Sequence, residues 1–149
     1  MIKITGHNVF NLSMHPEIKS NDFNRFEELM SFIYYDFAKE NKYIQLTIDG
    51  KDYLYKIFSV GFISKLHEII NFPLTDDYTA KEMKEQIEYF NEKSLYDYKL
   101  DVDENDKLIY LTTCTRFIEA DKSYSFYVAG RLVREDEKID NYKVTKKDK

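Results

Sequence analysis

The 149-residue sequence contains no tryptophan, one cysteine, two prolines and four glycines. A single cysteine cannot form a disulfide within the chain, so the fold must depend on its core and not on covalent cross-links. No apolar run approaches the roughly 18 to 20 residues that a membrane span needs, and no signal segment opens the sequence. As written, the chain is therefore expected to be soluble and not exported, that is, cytoplasmic.

The sequence also lacks a net positive charge. The net charge is −5 and the isoelectric point is near 5.3. A nucleic-acid partner would require a basic face that displaces counterions from phosphates, and the lysines and arginines are scattered. Nucleic-acid binding is therefore not expected.

Apolar residues, by contrast, are abundant. Hydrophobic residues make up 43% of the chain, with 13 tyrosines and 11 phenylalanines, and these aromatics are expected to be core and rim residues. The length suits one core and is too short for two ordinary domains. We therefore predict a single domain over residues 1–142, followed by a flexible basic C-terminal tail over residues 143–149.

The first half of the chain alternates between strand and helix patterns. Residues 1–5 alternate apolar and polar and predict a short strand that runs into Gly6 and His7. From Phe23, apolar residues recur at helical spacing and predict an amphipathic helix, with candidate N-caps at residues 20–22. The β-rich runs 43–48 and 53–60 are joined by Asp49-Gly50 and predict a hairpin.

The second half predicts a helix and two strands. Residues 61–78 have no clean period and contain Pro73, which favours an irregular connection. Thr79 and Glu82 match a capping box that opens a helix to about Asn91. Residues 107–114 and 124–133 predict two further strands, joined by a polar segment.

Five segments, taken in order, resemble the catalytic part of a class B sortase, a family of cysteine transpeptidases. They are Gly6-His7-Asn8, the helix near Phe23, residues 55–60, Ser94-Leu95-Tyr96, and the strand that ends in Leu111-Thr112-Thr113-Cys114. The resemblance implies a fold that is mainly β with two helices (α+β), a partial sortase-like β-barrel with mostly antiparallel strands. It also implies acyl transfer from a sorting-signal peptide through a thioester, without a cofactor or a metal.

The same resemblance implies the site residues. Cys114 is the implied nucleophile and His7 the implied general acid, while Thr112, Thr113, Leu95, Tyr96 and Ser125 are implied to contact substrate. Ser125 stands where the family carries its arginine, and the nearby cations Arg116, Lys122 and Arg131 are out of register. The family also usually has threonine at the position of Tyr110.

The family's barrel has further strands and a membrane anchor upstream of its histidine, and the resemblance does not include them. A barrel without those strands would expose edges with unpaired backbone groups. We therefore expect the missing strands to be supplied by another copy of the chain, by a partner chain or by a rearranged sheet. If the chain is active, its partners are a sorting-signal peptide and an amine acceptor; the family itself works outside the membrane.

Two other interpretations stay open. Cysteine on an apolar strand is often a small buried hydrophobe, and the chain could be a non-catalytic sortase-like module that binds peptide or assembles with itself or a partner. The acidic clusters at residues 101–104 and 135–137 lack the ordered ligand spacing and the glycine of a calcium loop, so no metal site is expected there.

Overall fold

The computed structural model describes residues 1–6, 26–64, 78–115 and 124–148. The helical elements are a 3₁₀ helix at Glu27–Ile33, α1 at Tyr35–Glu40 and α2 at Ala80–Lys93. None of the described helices is long and apolar enough to cross a membrane. The seven strands are β1 (Ile2–Gly6), β2 (Tyr43–Ile48), β3 (Lys51–Ser64), β4 (Tyr96–Tyr98), β5 (Leu108–Thr115), β6 (Tyr124–Leu132) and β7 (Val144–Lys146).

Five strands form one sheet in the order β1-β5-β6-β3-β2, and β4 pairs with β7 in a separate two-stranded sheet. β1 runs parallel to β5, whereas the other neighbouring pairs are antiparallel. The predicted fold class, mainly β with helices and mostly antiparallel, is confirmed. The sheet is mixed rather than wholly antiparallel because of the β1–β5 pair.

The β2–β3 hairpin forms where the sequence predicts it. Asp49 and Gly50 both have positive φ, 51° and 75°, as a tight turn between twisted strands requires. β3 continues to Ser64, however, so the irregular connection predicted from residue 61 is wrong for its first four residues. Those residues pair with β6 and are largely buried, because the sheet supplies the partners that sequence periodicity does not show.

The single helix predicted from Phe23 is two short helices among the described residues, and residues 23–25 and the candidate N-caps at 20–22 lie outside them. Tyr34 breaks the helical run with an extended backbone, φ −92° and ψ 123°. The break falls in the run Phe32-Ile33-Tyr34-Tyr35, whose aromatic and β-branched residues have low helix propensity. Tyr35 can then donate its hydroxyl to the carbonyl of Val144 at 2.9 Å.

Two cores cover the two faces of the large sheet. The first core lies with the 3₁₀ helix, α1 and the β4–β7 pair, and includes Met30, Val60, Tyr96, Phe126, Val128 and Val144. The second core lies under α2 and includes Phe58, Ile63, Phe90, Tyr110, Tyr127 and Ala129. Side chains alternate between these faces along β5 and β6, so a residue's position in either strand assigns it to one core, whereas in β3 the alternation shifts at the irregularity between Ile57 and Ser59.

Helix α2 is fixed at both ends. At its start the predicted capping box is confirmed: Glu82 N–H donates to the Thr79 hydroxyl at 3.2 Å and Thr79 N–H donates to the Glu82 carboxylate at 2.8 Å. At its end the helix presses on Gly61, where a Cβ atom would lie 2.7 Å from the carbonyl oxygen of Lys93. The helix packs this closely only because position 61 has no side chain.

The C-terminal segment differs from the tail predicted over residues 143–149. Within it, β7 pairs with β4, and Val144 is 5% exposed in the first core. Tyr142, just before it, is also buried and donates its hydroxyl to the carbonyls of Lys42 and Ile57 at 2.6 and 2.7 Å. Three residues of alternating pattern are too short a signal to predict such a strand from sequence.

Candidate active site

Cys114 lies near the end of β5 and is partly buried. Residues two apart on a strand share a face, so Tyr110, Thr112 and Cys114 form one row on the side of the second core. Directly across the sheet from Cys114 is Ser125 of β6. The candidate nucleophile and the residue in the arginine position are therefore cross-strand neighbours.

Ser125 is itself partly buried, and its other neighbour in the sheet is Ile63 of β3. The Ser125 hydroxyl and the Cys114 thiol lie on the same face of the sheet, since directly opposite residues in an antiparallel pair share a side. This face offers a small neutral donor beside the thiol at the position where the family has a cation.

β1 ends beside this position. Gly6 pairs with Thr113, and the Thr113 hydroxyl donates a hydrogen bond to the Gly6 carbonyl oxygen at 2.8 Å. Thr113 is 1% exposed and lies on the first-core face, opposite to the face of Cys114. Its side chain therefore ties the end of β1 to β5. His7 follows Gly6 in the sequence and lies outside the described residues.

Thr112 is 6% exposed and lies in the same row as Cys114. Its hydroxyl hydrogen-bonds the phenol of Tyr110, whose ring packs 5.4 Å from Phe90 and 5.8 Å from Tyr127 between centroids. Burial raises the pKa of Tyr110 to about 12, although the Thr112 hydrogen bond acts in the opposite direction. The phenol is therefore neutral near pH 7, and sequence reasoning missed this contact because it noted Tyr110 only as a departure from the family.

Leu95 and Tyr96 lie elsewhere. The N–H of Leu95 donates to the carbonyl of Val60 at 2.8 Å. Val60 lies in the part of β3 beyond Lys56, where β2 no longer pairs with β3. Tyr96 packs into the first core and donates its hydroxyl to the carbonyl of Ile33, and burial raises its pKa to about 12. The structure thus brings Thr112, Cys114 and Ser125 together on one face, and places Leu95 and Tyr96 with the core of the other face.

Arg131 is one of the three cations close in sequence to position 125. It lies at the end of the β5–β6 pair that is distant from Cys114. It pairs with Leu108, six residues before Cys114, which is about 20 Å along the strand. It is 2% exposed and binds both carboxylate oxygens of Glu137, at 2.7 and 2.6 Å. Arg116 and Lys122 lie outside the described residues.

That far end holds a charged network rather than a reactive group. Hydrogen bonds from Arg131 hold the pKa of Glu137 at about 2, well below its usual range. Lys56, also 2% exposed, lies 3.3 Å from Glu137, and Arg134 binds Asp106 at 2.7 Å. An open pocket of about 510 Å³ lies nearby, lined by Met1, Ile2, Tyr55, Tyr78, Met83, Glu104, Asp106, Lys107 and Leu108. Among the described residues, no three or more His, Cys, Asp or Glu side chains are grouped to hold a metal ion.

No protein-family model matches the sequence, and no curated protein matches it. Solved structures do. An X-ray structure of Clostridium perfringens sortase B has 22% sequence identity and a TM-score of 0.68, over 89% of this chain and 64% of the sortase chain.

A Staphylococcus aureus sortase B–substrate complex and a structure of sortase B complexed with triglycine each have 17% sequence identity and a TM-score of 0.66 over 89% of this chain. They are matched over 54% and 55% of their own chains, so this chain spans less than two thirds of the length of the sortases it resembles. Likeness of this extent at such low identity establishes the architecture: the chain has the fold of sortase B.

Proposed function

We propose that this chain is a sortase-like cysteine transpeptidase in which Cys114 forms a thioester with a peptide. The observation that carries the proposal is the pairing of Gly6 with Thr113. In the sequence, His7 directly follows Gly6 and Cys114 directly follows Thr113. The two candidate residues are 107 positions apart in sequence, and each directly follows one member of a pair on neighbouring strands.

One further step of the parallel register would set His7 beside Cys114. Neighbouring strands lie about 4.8 Å apart, and facing residues point to the same side of the sheet. An imidazolium at that position would favour the thiolate electrostatically, and a thiolate is the nucleophilic form of cysteine. The Thr113–Gly6 hydrogen bond supports this arrangement because it fixes the last described residue of β1.

The reaction then proceeds in two steps. The Cys114 thiolate attacks the carbonyl carbon of the scissile peptide bond, the C–N bond breaks, and the leaving amine takes a proton from His7. The acyl group is now a thioester on Cys114. An acceptor amine attacks the thioester carbonyl and gives a proton to the neutral His7, the C–S bond breaks, and the thiolate and the protonated His7 are restored while the new amide forms.

Two observations support a peptide substrate. Two sortase B structures of the same fold are a Staphylococcus aureus complex with substrate and a complex with triglycine. In this chain, Thr112 and Ser125 carry hydroxyl groups on the same face of the sheet as Cys114. Ser125 gives one neutral donor where a fixed guanidinium would give a bidentate cation, so turnover is expected to be slow.

The test is cleavage of fluorogenic sorting-signal peptides, with trapping of the acyl-enzyme by mass spectrometry. Cys114→Ala should abolish both signals, and His7→Ala should lower the rate by about 10²- to 10⁴-fold. His15, which lies in none of the five segments that carry the resemblance, is the matched histidine control, and His15→Ala should leave the rate unchanged. Equal rates for the unmodified chain and Cys114→Ala would exclude the proposal.

The Ser125–Cys114 pair also favours a second candidate, a non-catalytic peptide-binding module with the sortase fold. In that case the Cys114 thiol should react with iodoacetamide like a model thiol at every pH, and His7→Ala should not change its rate. Peptide binding, measured by fluorescence anisotropy, should persist in Cys114→Ala. A thiol whose alkylation at pH 6 depends on His7 would rule this candidate out.

A further inference from the structure

The outer edge of β2 is the least protected edge of the large sheet. β2 is the last strand in the sheet and bonds to β3 along its whole length, and no strand among the described ranges pairs with its other side. Its six residues, Tyr43-Ile44-Gln45-Leu46-Thr47-Ile48, include no charge, no proline and no glycine. Edge strands that stay monomeric usually carry a charge, a proline or a bulge.

The opposite edge of the sheet differs. β1 has five residues, and its second residue is the exposed Lys3. A lysine within a short strand opposes pairing with another strand, because the charge would have to be covered. Protection is therefore present at the β1 edge and missing at the β2 edge.

The apolar side chains on one face of β2 become more exposed towards the end of the strand. Ile44, Leu46 and Ile48 share one face of the strand. Ile44 packs against the first core and Leu46 is half-buried, but Ile48 is 45% exposed. The alternating residues Gln45 and Thr47 are exposed polar side chains on the other face.

We propose that β2 pairs antiparallel with β2 of a second copy of this chain, with the twofold axis at Leu46. In that register Leu46 faces Leu46, Ile44 faces Ile48, and Gln45 faces Thr47 of the second copy. The apolar row meets an apolar row, and each exposed Ile48 gains a neighbour that is already packed on a core. The polar residues can hydrogen-bond across the pair, and no like charges face each other.

A twofold pair of this kind closes on itself, so it gives a dimer and not a filament. The two five-stranded sheets become one continuous sheet. A standard protein–protein interface buries about 1,200 to 2,000 Å² of accessible surface, and one strand pair buries less. The dimer should therefore be weak and dependent on concentration. The interface is three strands away from β5, and it does not involve the Cys114 row.

Sedimentation equilibrium from about 1 µM to about 1 mM protein tests the proposal. The unmodified chain should pass from monomer to dimer. Gln45→Lys with Thr47→Lys should stay monomeric because lysines would face each other across the axis. Gln45→Glu with Thr47→Lys should still dimerise because each pair is then of opposite sign, and both variants have the same lysine opposite Asp52 within the chain.

Ile2→Lys is the control at the other edge and should dimerise like the unmodified chain. Hydrogen exchange of the unmodified chain gives a readout that needs no variant: amides of β2 should become more protected as concentration rises. A chain that is monomeric at about 1 mM, or two double variants that dimerise equally, would overturn the proposal. Loss of the dimer in Ile2→Lys alone would assign the interface to β1 and would overturn it as well.

Discussion

Ser125 lies directly across from Cys114 in the antiparallel pair of β5 and β6. In the family that the sequence resembles, a substrate-orienting arginine occupies the position that is Ser125 in this chain. The structure places Ser125 on the same face of the sheet as the Cys114 thiol. Position 125 therefore carries a neutral hydroxyl on that face instead of a guanidinium.

Ser125→Arg should raise peptide cleavage. A guanidinium at this position can stabilise the developing oxyanion, and a single such donor typically changes the rate about 10²- to 10³-fold. Steady-state cleavage of a sorting-signal peptide measures the effect. Ser125→Lys supplies charge without the planar fork and should gain less. No gain in either variant would mean that substrate does not pass beside position 125.

Thr113→Val should loosen the end of β1. The substitution keeps the shape of the buried side chain but removes the hydroxyl that donates to Gly6, and it should lower the free energy of unfolding by about 1 kcal/mol. Urea denaturation measures this loss, and Thr113→Ser, which keeps the donor, should lose less of the hydrogen-bond contribution. If Cys114 and His7 act together, Thr113→Val should also lower cleavage. Unchanged stability and unchanged cleavage would show that this bond does not hold β1.

Tyr110 and Thr112 should be energetically coupled. Tyr110→Phe and Thr112→Val each break the same hydrogen bond, so a double-mutant cycle should give a coupling of about 1 kcal/mol in the free energy of unfolding. Ultraviolet titration should show a tyrosine with a pKa of about 12 that disappears in Tyr110→Phe. Additive effects of the two substitutions would contradict the contact.

Glu137 should make the fold sensitive to acid. Its pKa is about 2 in the folded chain and near 4.5 when unfolded, mainly because Arg131 hydrogen-bonds the carboxylate. A lowered pKa contributes stability above the unfolded pKa, and this contribution is lost as the pH falls from about 4.5 towards 2.

Glu137→Gln should therefore lower stability at pH 7 and flatten the dependence between those two pH values. A loss of about 3 kcal/mol is expected, because the buried Arg131 would lose the carboxylate that it binds at two points and keep the longer, 4.0 Å ion pair with Asp106. Thermal unfolding at a series of pH values measures it. Glu135→Gln, two residues away at an exposed position, is the matched control and should follow the unmodified chain.

Local signals in the sequence predicted the elements that depend on local chemistry. The hairpin turn at Asp49-Gly50 and the Thr79–Glu82 capping box are contacts between residues close in sequence, and both are present. The elements that were missed depend on distant partners. β4 and β7 have three residues each and exist because they pair with each other, and Ser64 belongs to β3 because β6 lies beside it.

The candidate site divides in the same way. The alternation along β5 was sufficient to set Thr112 and Cys114 on one face. Leu95 and Tyr96 were assigned to substrate contact from resemblance, but their face depends on where the chain crosses the edge of β3 at Val60. No pattern within residues 94–96 encodes that crossing. The assignment of His7 stays a prediction because the residue lies outside the described ranges.

The parallel pairing of β1 with β5 also governs when this site can form. β1 is made before β5, but the partner of its last residue Gly6, Thr113, is 107 residues later, and all other strands of the large sheet can pair by antiparallel contacts without it. Closing so long a loop is entropically costly and slow compared with closing a hairpin. On the ribosome, β1 must therefore wait until β5 has emerged, so the candidate nucleophile and acid can meet only after the 107 residues that separate Gly6 from Thr113 have been made.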